Sequence, residues 1–295
     1  MTMTIYRWTG LAAAALLTIT VGCSSNANIQ AVKTEETPQQ TAKPPTTTKP
    51  APVTTVNPTP QPKPDTKPSK PVPEPVQEPK QPVMKQYYMN KNYFFKPISP
   101  DINKKAVLLT FDDGPKDKAI IESMLNTLDK HKAKAIFFVN GYRVKQHPEL
   151  LKLIADRKQT IGNHSWDHID LKKQSAAEVS KQLGDVQAIV KKITGISPKY
   201  FRPPFGSGGD AVKKEALRQG MLFMTWSNGS EDWLGKNKNK PDQVINNVMK
   251  QLAPGSNILM HELPWTAEAL DILLTKMTSQ GYVFINPDTI DITKK

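Results

Sequence analysis

The sequence predicts an α/β domain built on a parallel sheet of about seven strands, reached through a long Pro-rich spacer. Three observations carry that prediction. From Lys105 onward, short apolar runs alternate with longer amphipathic ones. Polar residues suited to hydrolytic chemistry fall where the apolar runs stop. Upstream, residues 38–82 hold 15 of the 26 prolines and no aromatic residue, so nothing there can nucleate a core and the stretch is expected to be disordered.

Taken in chain order, the first element reads as an address. Arg7 precedes an apolar stretch from Trp8 to Val21, which at about 14 residues is short for a membrane span. "VGCSS" follows. Cys23 is the sole cysteine, so no intramolecular disulfide can form, and its place after Gly22 resembles a bacterial lipoprotein signal. Residues 1–22 are therefore expected to be a signal peptide and Cys23 a lipidated anchor at the outer face of the membrane, with an ordinary cleaved signal as the alternative. Residues 23–85 form the tether. At about 3.1 Å per residue, a Pro-rich chain of this size reaches on the order of 100 Å.

Residues 86–104 are aromatic-rich and are expected to pack on the domain as a lead-in, with the domain itself spanning 105–295. Its strand candidates are "AVLLTF", "KAIFFVN", "QTIGNH", "KYFRPPF", "LFMTWSN", "SNILMHE" and "YVFIN". Helical periodicity fills the gaps at 119–131, 148–157, 176–193, 210–219, 241–252 and 266–280. Ser175 with Glu178 makes a capping box, and Gly220 and Gly281 close two helices. The formal charge is +13, which biases an exported protein toward anionic wall polymers or lipid headgroups. The excess is spread along the chain without a basic stripe or ordered aromatics, so nucleic acid is not the expected partner, and a monomer is expected.

In parallel α/β folds, functional groups gather at strand ends. Asp112 and Asp113 end the first strand, His164 the third, Arg202 the fourth and His261 the sixth, while Asp232 and Trp233 follow the fifth. His164 and His168 are four residues apart, a spacing that lets two imidazoles converge on one metal. A carboxylate from the first strand end is available as third ligand, leaving a position open for an activated water. Zinc is the metal expected first, with cobalt or nickel as alternatives, because imidazole-plus-carboxylate ligation does not discriminate sharply among these ions. His131 and His147 read as ordinary surface residues.

"TFDDG", "HSWDH", "RPPFG", "EDW" and "LMH", in that order, resemble the five motifs of the carbohydrate esterase family 4 polysaccharide deacetylases, the NodB homology domain. The match runs from about Ala106 to Pro287. The resemblance implies a distorted (β/α)-barrel that removes N-acetyl groups from a polysaccharide, with N-acetylglucosamine of peptidoglycan as the expected substrate. Chitin oligomers and acetyl xylan are alternative substrates. It further implies Asp113, His164 and His168 as metal ligands and Asp112 as general base oriented by Arg202. His261 becomes the general acid fixed by Asp232, the Phe205 backbone N–H an oxyanion donor, and Trp233 and Leu259 the walls of the acetyl pocket. Because adjacent strand residues point apart, a bend supplied by Gly114 and Pro115 is expected to aim both carboxylates at one site. One departure stands out: the family's D-x-x-D-W has Gly229 in place of its first Asp. Either that acid is dispensable, or Glu231 replaces it, or the acid side is impaired and the protein is a wall-binding lipoprotein without turnover.

Overall fold

The computed structural model describes residues 83–294; the signal segment, Cys23 and nearly all of the tether lie outside them. The lead-in is a hairpin of β1 (Tyr87–Met89) and β2 (Phe95–Pro97), paired antiparallel. The domain then runs β3 (Ala106–Gly114), α1 (Lys118–Lys130), β4 (Ala135–Val139), α2 (Gly141–Gln146), α3 (Pro148–Asp156), β5 (Thr160–Asn163), α4 (Ala176–Thr194), β6 (Tyr200–Phe201) and α5 (Gly209–Arg218). It continues with β7 (Leu222–Phe223), β8 (Asn228–Gly229), α6 (Pro241–Lys250), β9 (Asn257–His261), α7 (Pro264–Ser279) and β10 (Val283–Phe284).

The sheet order is β7-β6-β5-β4-β3-β9-β8, with β10 beside the start of β3, and every pairing in it is parallel. Its two outer segments, β7 and β8, come from the single expected strand "LFMTWSN". Between them, Met224 donates its N–H to Phe201 and Ser227 donates its N–H to Asn257, so this one stretch hands over from one sheet edge to the other. The sheet is thereby curled on itself, and the seven expected strands are present, the fifth in two pieces. Among the described residues no helix is long and apolar enough to cross a membrane.

Both faces of β3 and β4 are covered, which is why they read as unbroken apolar runs. Val107, Leu109 and Phe111, with Ala135, Phe137 and Val139, pack outward against α1, α3, α6 and α7. Leu108, Ile136 and Phe138 point inward and meet Tyr87, Phe95, Tyr200, Met224 and Ile285. The inner face is apolar only part of the way up, for Thr110 and Asp112 continue the alternation begun by Leu108. The lead-in hairpin closes the apolar end: Phe95 N–H donates to Gly255 O, and a side chain at Gly255 (φ 87) would collide with the Phe95 carbonyl. Burying each of these large side chains contributes roughly 1.5–3 kcal/mol, so Phe95→Ala opens a costly hole in the floor.

Helix ends largely follow the local rules. Asp117 and Ser175 accept N–H donors at the starts of α1 and α4, and Gly195 at φ 80 ends α4. α7 starts at Pro264 rather than Thr266, because proline suits a first turn that lacks N–H acceptors. α2 has no counterpart in the sequence reading; six residues opening on glycine show no periodicity. His131 is not an ordinary surface residue: its ring is mostly covered and lies 2.7 Å from Asp271.

Candidate active site

Asp112 and Asp113 are aimed by backbone conformation. The β3–β4 pairing slips between Phe111 and Gly114, and Asp113 takes φ 69. A left-handed non-glycine residue costs roughly 1–3 kcal/mol, and here it turns the second carboxylate toward the first. The bend thus begins at Asp113 itself, one residue earlier than expected. Ser165, His168, Phe205 and Glu231 share the left-handed conformation, so such residues concentrate around the same cleft.

Asp113 Oδ1 lies 3.3 Å from His164 Nε2 and 3.0 Å from His168 Nε2. One ligand atom from each of the three residues falls within 4.8 Å of the others. Asp113 Oδ1 is buried and receives no donor in hydrogen-bonding geometry, a costly state for an anionic oxygen unless a cation meets it. Burial raises this carboxyl, but when the facing His164 and His168 rings carry protons they outweigh burial and hold it well below the usual carboxylate range. His164 Nδ1 is 2.7 Å from Arg202 O; a carbonyl only accepts, so Nδ1 carries the proton and Nε2 offers its lone pair to the cleft. Two imidazoles and a carboxylate suit a divalent ion of the zinc type, and the trio can hold one.

The loop carrying the histidines is held from behind. Gln182 Oε1 accepts the N–H groups of Trp166 and Asp167, and Asn163 Oδ1 accepts that of Ser165. Sequence reasoning missed both residues. Gln182 offers a signal only in retrospect, as a polar residue on the apolar face of α4 among Val179, Leu183 and Val186.

Arg202 is fully buried on the inner face. Its guanidinium donates to Asp112 Oδ1 and Thr110 Oγ1, both at 2.7 Å, to Thr225 O at 3.1 and 2.9 Å, and to Asn257 Oδ1 at 3.0 Å. Those contacts engage all five of its donors. Phe138 lies under it, 4.5 Å from ring centre to guanidinium carbon. Burial pulls the guanidinium below its usual value and Asp112 opposes that pull. Asp112 Oδ2 is left facing His164 Nε2 at 3.7 Å.

On the neighbouring strand, His261 Nδ1 lies 2.7 Å from Asp232 Oδ1, and its backbone N–H donates to Oδ2 of the same carboxylate. Thr266 Oγ1 donates to that Oδ2 as well, and Trp265 Nε1 donates to Asp232 O. Burial lowers His261, but Asp232, Asp112 and Asp113 together outweigh it and leave the imidazole raised above its ordinary value. The Trp233 ring stands 5.3 Å from that of His261, and the Phe205 ring 4.8 Å from that of His168. Leu259, two residues before His261 on β9, is buried yet belongs to none of the apolar clusters.

Asp112, Asp113, His164, His168, Arg202, Phe205, Asp232, Trp233 and His261 therefore gather at one end of the curled sheet; Cys23 lies outside the described residues. Gly229 sits where a side chain would meet Trp226 and Trp233 at 3.6 Å, an ordinary contact distance. Glu231 does not stand in for the absent acid, since its carboxylate pairs with Lys236 at 3.2 Å.

The polysaccharide deacetylase family profile matches residues 99–224. A peptidoglycan-N-acetylglucosamine deacetylase of Bacillus cereus is 33% identical over 198 residues, 65% of this chain and 70% of that protein. This chain belongs to the polysaccharide deacetylase family. The peptidoglycan-N-acetylmuramic acid deacetylase PdaC of Bacillus subtilis is 37% identical over 196 residues, 66% of this chain but 40% of PdaC. The chain thus spans about two fifths of the length of that relative. Among solved structures, a CE4 family pseudoenzyme from Bacillus anthracis superposes with a TM-score of 0.59 at 32% identity, covering 66% of this chain and 74% of its own.

Proposed function

We propose that this chain hydrolyses N-acetyl groups from amino sugars of a cell-wall polysaccharide, with peptidoglycan N-acetylglucosamine as substrate and zinc as the ion held by Asp113, His164 and His168. The observation that carries the proposal is the placement of an arginine-paired carboxylate and an aspartate-paired imidazole side by side at the rim of the ligand trio. The names of the similar proteins support the substrate class.

A divalent ion bound there would supply Lewis acidity and lower the pKa of a water. Asp112, oriented by Arg202, accepts a proton from the attacking water. His261, with Nδ1 committed to Asp232, presents Nε2 and donates a proton to the leaving amine. The Phe205 N–H, on a residue in the left-handed conformation, receives the developing oxyanion. Trp233 and Leu259 enclose the acetyl methyl group and exclude bulkier acyl chains.

Lipidation at Cys23 and action at the outer membrane face complete the proposal, supported by the "VGCSS" sequence and the Pro-rich tether. Acetate release from N-acetylglucosamine oligomers and from purified peptidoglycan, with and without a chelator, tests the activity. Chelator-sensitive acetate is expected from both, and its absence from both would end the deacetylase reading.

A second reading, a wall-binding protein without turnover, is favoured by Gly229 alone. It predicts retention on peptidoglycan with no acetate. The intact His261–Asp232 pair argues against it.

A further inference from the structure

Glu262 follows His261 directly, is 1% exposed, and has no part in the chemistry above. Its side chain lies against the turn after β3. A Cβ built on Gly114 would fall 1.8 Å from Glu262 Oε1 and 2.7 Å from Oε2. Gly114 is not among the glycines with positive φ, so its backbone does not require glycine. What requires it is the carboxyl resting there. Glu262 Oε2 accepts the N–H of Lys116 at 3.2 Å, and Lys116 Nζ lies 3.7 Å from Asp113 Oδ2. Oε1 is buried and meets no donor. Desolvation pushes the carboxyl up to about 7, against the pull of Lys116 and Arg143. A buried acid this poorly compensated destabilises the fold, so the simpler economy of an apolar residue has been given up at this position.

We propose that Glu262 is a positioning residue: its carboxyl is the stop that sets the turn from Asp113 to Lys116 and thereby aims Asp113 at His164 and His168. The inference rests on the reading of those three residues as metal ligands of a deacetylase. It gives the glycine of "DDG" a packing role, and it ties the strand bearing the proposed acid to the turn bearing a proposed ligand.

The test measures zinc affinity by chelator competition, and the visible spectrum after cobalt loading, on the full chain. Glu262→Ala is expected to weaken zinc about 10–100-fold and to change the cobalt spectrum. Glu262→Gln, whose amide oxygen still accepts the Lys116 N–H, stays within about threefold of wild type. Glu262→Asp, too short to reach that N–H, behaves like alanine and serves if the alanine variant does not fold. Gly114→Ala, which evicts the carboxyl, matches Glu262→Ala, and the double variant Gly114→Ala/Glu262→Ala is no worse than either. Wild-type affinity and spectrum in Glu262→Asp or Glu262→Ala would overturn the proposal, as would losses that multiply in the double variant. Acetate release is scored separately. A wild type that binds zinc but releases none sinks the deacetylase reading and leaves Glu262 to be decided by affinity, whereas a wild type that binds no zinc sinks both.

Discussion

Asp112 and His261 are register partners on adjacent parallel strands, β3 and β9, so the proposed base and acid stand side by side on the inner face of the sheet. Each is fastened from behind by its own counter-charge, Arg202 for one and Asp232 for the other, at 2.7 Å in both cases. In the proposed chemistry this fastening orients one group to take a proton and the other to give one.

Asp112→Asn keeps the shape and one acceptor for Arg202 but removes the proposed base. Its kcat/KM on N-acetylglucosamine oligomers is expected to fall about 10²–10⁴-fold. Metal content measured on the same sample should equal that of wild type, because Asp112 is not among the three proposed ligands.

The pH profile reports on His261. Its imidazole is raised above its ordinary value because three carboxylates outweigh its burial, so the protonated form, the proposed acid, persists as pH rises and is lost only above the ordinary histidine range. The alkaline limb of kcat/KM therefore lies on the high side of that range. Asp232→Asn removes the first of the raising groups and should move this limb to lower pH. The sign for stability is the same: a raised imidazole adds stability that is fully present below its unfolded value and disappears as pH rises through the folded one. Denaturation midpoints of wild type and Asp232→Asn should converge at high pH.

Arg202→Lys is expected to be damaging, since one ammonium cannot serve Asp112, Thr110, Thr225 and Asn257 together. Leaving Asp112 buried with its partner mispaired costs about 3–5 kcal/mol, measurable by denaturant titration.

Gly229→Asp should fold, because a side chain begins at ordinary contact distance from Trp226 and Trp233. With the His261–Asp232 pair already assembled, activity is expected to change by less than about tenfold, the scale of one hydrogen bond. A gain of several orders of magnitude would instead show the acid side impaired in the natural chain.

Much of this architecture was legible in the sequence because the alternation of strands and helices is set by burial on both sheet faces, and the reactive residues lie where those strands stop. The break in "LFMTWSN" was not legible. All seven residues look strand-like, and only the curl of the sheet makes the middle four change neighbours. The left-handed turns at Asp113, His168 and Phe205 were hidden for a different reason, since local rules assign that conformation to glycine, and here tertiary contacts impose it on larger residues. Gln182 and Glu262 escaped notice because each acts on backbone groups distant in sequence, which no spacing rule encodes.

The central claim is that Asp113, His164 and His168 take up one divalent ion. Anomalous diffraction at the zinc edge, on crystals of the full chain soaked in zinc, tests it most directly. One strong peak bounded by those three side chains, absent from His164→Ala crystals, is the result expected; zinc bound stoichiometrically elsewhere, with nothing between them, would contradict it.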